Sequence, residues 1–214
     1  MTLKQELAQK KAKSATTIPQ DKYAVMQKST QALLEAKISD KALKTGDTLP
    51  EFELPDEHQN PVGLDEIHIG KYLIISFYRG GWCPYCNMEL RALQKHADVL
   101  GQLGANLVAI SPETPDNSLT TLEKNQLQFK ILSDRDNHYA KKLNLTFPMP
   151  ESLKEVYHSF GIHVDHHNGN SDFELPMPAT YIIDTNRTVI YHFVPEDYTQ
   201  RMDPEEIVAF LRNR

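Results

Sequence analysis

Both cysteines of this 214-residue chain fall in one short run, Trp82-Cys83-Pro84-Tyr85-Cys86, where an apolar stretch, Tyr72-Leu-Ile-Ile-Ser-Phe-Tyr78, gives way to a helical pattern. Two thiols separated by two residues at a helix start can close a small disulfide ring and reopen it. The unpaired N–H groups and the dipole at that end of a helix stabilise the thiolate that attacks. The spacing places Cys83 at the N-cap, Pro84 at the first helical position, where a missing N–H costs nothing, and Cys86 one turn further in. Cys83 is therefore expected to be the more exposed sulfur, and Cys86 the one that resolves a mixed disulfide. The pattern points first to redox chemistry.

Hydrophobic residues at 40% and charged residues at 24% suffice for one full core plus an appendage. The formal net charge of -6 argues against a nucleic-acid partner, which calls for a basic face. Residues 1–10 carry no apolar core of signal-peptide length, and no segment approaches a membrane span, so no membrane association and a cytoplasmic location are expected. In a reducing compartment a lone Cys-x-x-Cys pair is catalytic or metal-binding rather than a structural staple.

Residues 1–45 read as a helical N-terminal extension, broken near Thr16-Thr-Ile-Pro19, that packs on the main domain or on a second copy in a homodimer. Residues 46–214 read as one domain. An edge hairpin begins at Gly46, followed by a buried strand over 72–78, a helix over 84–100 and a strand over 106–110, which together make a right-handed βαβ unit. A helix over 115–126, a strand over 129–132 and helices over 136–143 and 151–160 follow. After an irregular stretch over 161–178, strands at 180–183 and 188–193 form a hairpin across Asp184-Thr-Asn-Arg187, and Asp203-Pro204 caps a closing helix. The order gives an α/β, thioredoxin-like fold, a central mixed sheet flanked by helices.

Other residues surround the thiols. Arg79-Gly80-Gly81 reads as a cationic, flexible approach loop, in which Arg79 stabilises a thiolate or a hydroperoxide anion, or is simply solvated. Trp82 is expected to cover the disulfide as a flat apolar wall and, as the sole tryptophan, to report redox state by fluorescence. Pro178 precedes a strand beside the redox helix, and the accompanying Cys-x-x-Cys favours a cis bond that aims the Met177 backbone at the thiols. Two rival readings stand beside these: the cysteines as small buried apolar side chains, or a structural zinc site completed from His163, Asp165, His166 and His167. The redox reading calls for no cofactor and no metal.

Tyr78-Arg-Gly-Gly-Trp-Cys-Pro-Tyr-Cys86, the entry segment Gly46-Asp-Thr-Leu-Pro-Glu-Phe-Glu-Leu-Pro55 and Leu175-Pro-Met-Pro-Ala-Thr-Tyr-Ile-Ile-Asp184 resemble the peroxiredoxin-like branch of the alkyl hydroperoxide reductase C / thiol-specific antioxidant (AhpC/TSA) superfamily. The resemblance runs from about Leu43 to the C-terminus. It implies a thioredoxin fold and a thiol-dependent antioxidant oxidoreductase that takes a hydroperoxide or a disulfide as substrate, with thioredoxin or glutathione as reductant. Peroxiredoxins carry Pro-x-x-x-Thr-x-x-Cys; laid on this chain, Arg79 falls at its proline, Cys83 at its threonine and Cys86 at its peroxidatic cysteine. The family's second arginine, just before the strand corresponding to Tyr181, is replaced by Pro178. The peroxiredoxin register thus nominates Cys86 as nucleophile and the thioredoxin register Cys83, with exposure and the N-cap favouring Cys83. Ser76 stands where thioredoxins place a buried Asp. With the family's Thr and Arg missing, peroxidase activity is expected to be slow or differently organised. Thioredoxin- or glutaredoxin-like reduction of protein or glutathione disulfides is the alternative activity, and a zinc-held scaffold or binding module is the alternative of another class.

Overall fold

The computed structural model describes residues 1–214. The chain opens with α1 (Leu3–Thr17) and α2 (Gln20–Ala36). Thr2 caps α1 through its side chain with Gln5 reciprocating, and Pro19, unable to continue a helix, separates the two. A short hairpin, β1 (Glu53–Pro55) and β2 (Pro61–Gly63), and the one-turn α3 (Leu64–Ile67) lead into β3 (Tyr72–Phe77). Then follow α4 (Pro84–Gln102), β4 (Ala105–Ser111), α5 (Pro115–Asn125), β5 (Lys130–Ser133), α6 (His138–Lys142), β6 (Thr146–Pro148), α7 (Glu151–Ser159), α8 (Val164–Asn168), β7 (Glu174–Pro176), β8 (Ala179–Asp184), β9 (Val189–Phe193) and α9 (Pro204–Arg212).

The central sheet is five-stranded and mixed, in the order β5-β4-β3-β8-β9, with β3, β4 and β5 parallel and β8 and β9 antiparallel to their neighbours. β3 lies at its centre and is buried along its whole length. Its period-2 alternation sends Leu73, Ile75 and Phe77 into one core and Tyr72 and Ile74 into the other. The first core lies under α6, α7 and the β1–β2 hairpin, the second under α1, α4 and α9. A strand ending inside a two-sided core and leading into α4 delivers the cysteine pair to the C-terminal edge of the sheet.

Both N-terminal helices fold back on this same chain. Leu3 and Leu7 of α1 are buried in the second core, each such side chain contributing roughly 2 kcal/mol. Lys11 Nζ pairs with Asp197 at 2.7 Å, the Lys4 amide donates to Asp203 at 3.1 Å, and Lys22 Nζ on α2 donates to Ser159 Oγ at the end of α7 at 2.7 Å.

Several sequence expectations change in detail. The stretch over 161–178 is not wholly irregular: it holds α8 and β7, and β7 pairs antiparallel with β6 in a separate two-stranded sheet. These elements are three to five residues long, too short to carry a period. The first hairpin pairs at Glu53–Pro55 rather than from Gly46, because Thr48 instead bridges Thr188 at the start of β9. Every peptide bond is trans, Pro178 included. The cis expectation fails because Met177-Pro178 runs extended from β7 into β8, with the Met177 N–H spent on the Leu145 carbonyl at 2.7 Å.

Candidate active site

The loop from Tyr78 to Cys83 leaves β3 with the Tyr78 amide still bonded to Ile110, and closes on itself through the Cys83 amide to the Gly80 carbonyl at 3.0 Å. Cys83 is the N-cap of α4, Pro84 opens the helix, and Cys86 lies within its first turn, as the spacing requires. Both thiols are free. Their exposure differs from expectation: Cys83 and Cys86 are both fully buried. Residues 10–26 of the N-terminal helices, with Tyr157 and Tyr198, close over the outer side of this region, which a reading of the motif in isolation leaves open.

The approach loop is clamped, not loose. Glu113, wholly buried, accepts from the Gly81 amide at 2.9 Å; Asn87 Nδ2 donates to the carbonyls of Gly81 (2.7 Å) and Cys83 (3.0 Å); Asn125 Nδ2 donates to Asn87 Oδ1 at 2.7 Å. A Cβ on Gly81 would run into the Thr121 hydroxyl, so only glycine permits this approach.

Arg79 is buried as well, 3% exposed, and is not a solvated side chain. Its Nη2 donates to Cys83 Sγ at 3.2 Å and its Nη1 to the Tyr157 hydroxyl at 3.0 Å. The guanidinium lies 4.1 Å from the Tyr198 ring centroid and 5.1 Å from that of Trp82, so aromatic faces replace the water it has lost. Trp82, expected as a wall over the disulfide, packs edge-on against Tyr157. Arg79, Trp82, Pro84, Tyr85, Tyr157 and Tyr198 line a cavity of about 120 Å³, which approaches Cys83 through the Arg79 side chain.

A second guanidinium serves the other sulfur. Arg201, 5% exposed, donates from Nη2 to Cys86 Sγ at 3.1 Å and from Nε to the carboxylate of Glu89, itself 1% exposed. Arg201 is further held by the carbonyls of Tyr198 and Gln200. The sequence reading missed both Arg201 and Glu89. Glu89 carried a usable signal, an acid three residues after Cys86 on an otherwise apolar helix face. Arg201 lies in the irregular run before α9 and carried none. Ser76 is buried on β3, and the buried acid near the thiols comes from α4 instead.

These surroundings polarise the pair. Burial alone would push the Cys83 thiol up, but its hydrogen bond with Cys86 and the charges of Arg79 and Arg201 outweigh burial and hold it well below the ordinary thiol value. Burial pushes Cys86 up, and the hydrogen bond to Cys83 and the neighbouring thiolate add to it, leaving Cys86 well above the ordinary value. The Glu89 carboxyl is raised to about 7, burial exceeding the attraction of Arg201. Chemically, the pair can hold one thiolate and one thiol side by side in a hydrogen bond.

Pro178 is buried at the sheet edge, one residue before Ala179, which pairs with Phe77. Hydrogen bonds to the sulfurs come from Arg79 and Arg201, not from this segment. The side chains offered for a thiol-held zinc site lie apart from the sulfurs: His163 and Asp165 group with His158, and His167 Nδ1 is 3.0 Å from Glu113 Oε1.

Fold and site together define a thioredoxin-fold protein with a buried, arginine-held dithiol. The AhpC/TSA family profile matches residues 45–192, most of the chain beyond the N-terminal helices, and the chain belongs to that family. It is 30% identical over 103 residues to peroxiredoxin Bcp of Escherichia coli, a match covering 48% of this chain and 65% of the relative. It is 28% identical over 157 residues to the chloroplastic peroxiredoxin Q of Sedum lineare, covering 72% of each. Among solved structures, peroxidoxin BcpB from Mycobacterium tuberculosis superimposes with a TM-score of 0.63 at 22% identity, over 80% of this chain and 97% of that one, a likeness of fold. No helix is long and apolar enough to cross a membrane.

Proposed function

We propose that the chain is a thiol-dependent peroxidase working through Cys83 and Cys86. The Cys83 thiolate attacks the O–O bond of a hydroperoxide; the sulfur is oxidised to a sulfenic acid, and the peroxide is reduced to an alcohol or water, which takes up a proton. Cys86 then condenses with the sulfenic acid, releasing water and forming the Cys83–Cys86 disulfide before further oxidation. Two electrons from an external dithiol or from two monothiols, thioredoxin or glutathione, restore the pair.

The observation that carries this reading is the hydrogen bond from Arg79 to Cys83 Sγ in a setting that holds this thiol low. Arg79 stabilises the nucleophile and stands ready for the oxyanion that leaves, in buried surroundings where such a charge counts most. In this account Arg79 and Arg201 take over the work of the threonine and the pre-strand arginine that the family pattern lacks here, while Trp82 walls the cavity and Pro178 sets the sheet edge beside it. Family membership supports the reaction class. The test is peroxide consumption by the purified reduced protein, followed with a thioredoxin couple, alongside mass spectrometry of the disulfide. Peroxide-driven loss of two thiols per chain supports the reading; brisk insulin reduction with peroxide untouched replaces it with disulfide reduction, which the N-cap position of Cys83 next to Trp82 also suits.

Residues 1–45 act in this account as an extension to a 46–214 catalytic domain, consistent with a family match that starts at residue 45. We place the protein in the cytoplasm, a reducing compartment in which a lone Cys-x-x-Cys pair serves catalysis rather than as a structural staple. As assembly we propose a homodimer, with exposed Leu34 and Phe160 as candidate contacts; a monomer in sedimentation equilibrium would reject it.

A further inference from the structure

The turn between α7 and α8 gathers side chains that the dithiol chemistry leaves unused. His158 lies in the last turn of α7, His163 is the residue that enters α8, and Asp165 and His166 belong to α8 itself. One donor atom from each of His158, His163 and Asp165 lies within 4.8 Å of the other two. Asp165 sits between imidazoles, its Oδ1 3.9 Å from His158 Nε2 and its Oδ2 3.7 Å from His166 Nε2. The rings of His158, His163 and His166 form a stepped stack, with centroids 5.2 and 5.1 Å apart and planes 30° and 22° from parallel. Asp165 Oδ1 is shielded from solvent and has no hydrogen-bond donor. The nearest imidazole nitrogen, His158 Nε2, stops short of a hydrogen bond at 3.9 Å, a gap that a cation shared by carboxylate and imidazole would fill.

We propose that His158, His163 and Asp165, with His166 as fourth donor, form a binding site for a divalent d-block cation, separate from the thiols. The donor set selects the ion class: imidazole nitrogens with a single carboxylate suit zinc, cobalt, nickel or copper, whereas magnesium and calcium require mostly oxygen. The dimensions fit. Metal–nitrogen bonds of about 2.0–2.1 Å in a tetrahedron set donor atoms roughly 3.4 Å apart. The donor atoms start within 4.8 Å of one another on side chains that are partly or largely exposed, and so are free to turn about their side-chain torsions toward that spacing. His167, adjacent in sequence, is turned the other way onto Glu113 and is not a ligand.

The position gives the site a consequence. A cation held by His158 on one side and by His163 and Asp165 on the other ties the end of α7 to the start of α8. The turn it spans carries Phe160 and Ile162, which line the cavity beside Arg79 and Trp82. Metal binding would therefore fix one wall of the cavity without touching either sulfur.

The experiment is a cobalt(II) titration, with zinc competition, of tag-free full-length protein in a Cys83→Ser/Cys86→Ser background, so that no thiol can ligate. We expect one saturable equivalent, a visible d–d band typical of low coordination number, displacement by zinc and none by magnesium. His163→Ala and His158→Ala should each weaken binding by roughly tenfold or more, and His167→Ala should leave it unchanged. Circular dichroism checks that each variant remains folded; Asp165→Asn, which keeps the shape and removes the charge, is the second probe should an alanine variant fail to fold. No saturable uptake, uptake equal in the His163→Ala and parent proteins, or loss with His167→Ala would each overturn the assignment.

Discussion

The two sulfurs stand one helical turn apart, each with a buried arginine on it, yet those arginines differ in what else they meet. On the Cys83 side, Arg79 meets only neutral partners besides the sulfur: the Tyr157 hydroxyl and the faces of Tyr198 and Trp82. On the Cys86 side, Arg201 is already paired with the carboxylate of Glu89. A guanidinium with no other anion lends its full charge to the thiolate, whereas one shared with a carboxylate lends less; Arg201 still helps to hold Cys83 low, while burial and the neighbouring Cys83 thiolate keep Cys86 high. The lesson is that an arginine next to a thiol does not by itself make a nucleophile; the burial of that thiol, the thiolate beside it and any other anion on the arginine all weigh against it.

The largest expected effect breaks the Cys83 half. Arg79→Met preserves length and removes charge, so the Cys83 thiol should rise toward its ordinary value and its rate of oxidation by peroxide at neutral pH should fall about 10²–10³-fold, the usual worth of a single oxyanion donor. Stopped-flow oxidation, together with the ultraviolet thiolate absorbance followed against pH, reads both. An unchanged thiolate titration would mean that Arg79 is not what holds Cys83 low.

The Glu89 half gives the next effect, through stability. Its carboxyl is raised from 4.5 to about 7 in the fold, so the folded state binds the proton that the unfolded chain has already released, and its contribution is lost as pH climbs through that interval. Relative to Glu89→Gln, the parent protein should therefore lose on the order of 2–3 kcal/mol between about pH 4.5 and about pH 7. Urea unfolding of both proteins across that range checks it; parallel curves would show that Glu89 is ionised throughout. The same substitution frees the Arg201 charge for Cys86, so the Cys86 thiol should fall and the contrast between the sulfurs should narrow.

A smaller effect sharpens the comparison. Tyr157→Phe removes one hydrogen bond to Arg79 without touching either sulfur, which at about 1 kcal/mol should slow Cys83 oxidation by roughly fivefold. A loss as large as that of Arg79→Met would make Tyr157 itself part of the reacting group.

The parts of the molecule with a period were legible in the sequence: the unbroken apolar run of β3, the amphipathic α4, the β8–β9 hairpin, and the Asp203-Pro204 start of α9, whose Asp203 side chain accepts from the Glu205 amide. Local chemistry also read through, since N-cap and first-turn positions for the two cysteines follow from Pro84 alone. What did not read through depends on tertiary packing. The cover over the outer side of the Arg79–Tyr85 segment comes from α1, α2, Tyr157 and Tyr198, none of which is near Cys83 in sequence. Arg201 is 115 residues from Cys86 and stands in a stretch without periodicity. Pro178 shows the limit of motif logic: a proline at that place was assigned a bond geometry from the company it keeps, while the extended run from β7 to β8 holds it trans.

The division of labour between the sulfurs is tested most directly by one turnover of hydrogen peroxide on the two single variants, with a sulfenic-acid trap and peptide-level mass spectrometry. The account predicts a trapped sulfenic acid on Cys83 in Cys86→Ser, formed at close to the parent rate, and almost none on Cys86 in Cys83→Ser. Rapid trapping on Cys86 with Cys83 replaced, and no oxidation of Cys83 when it stands alone, would contradict it.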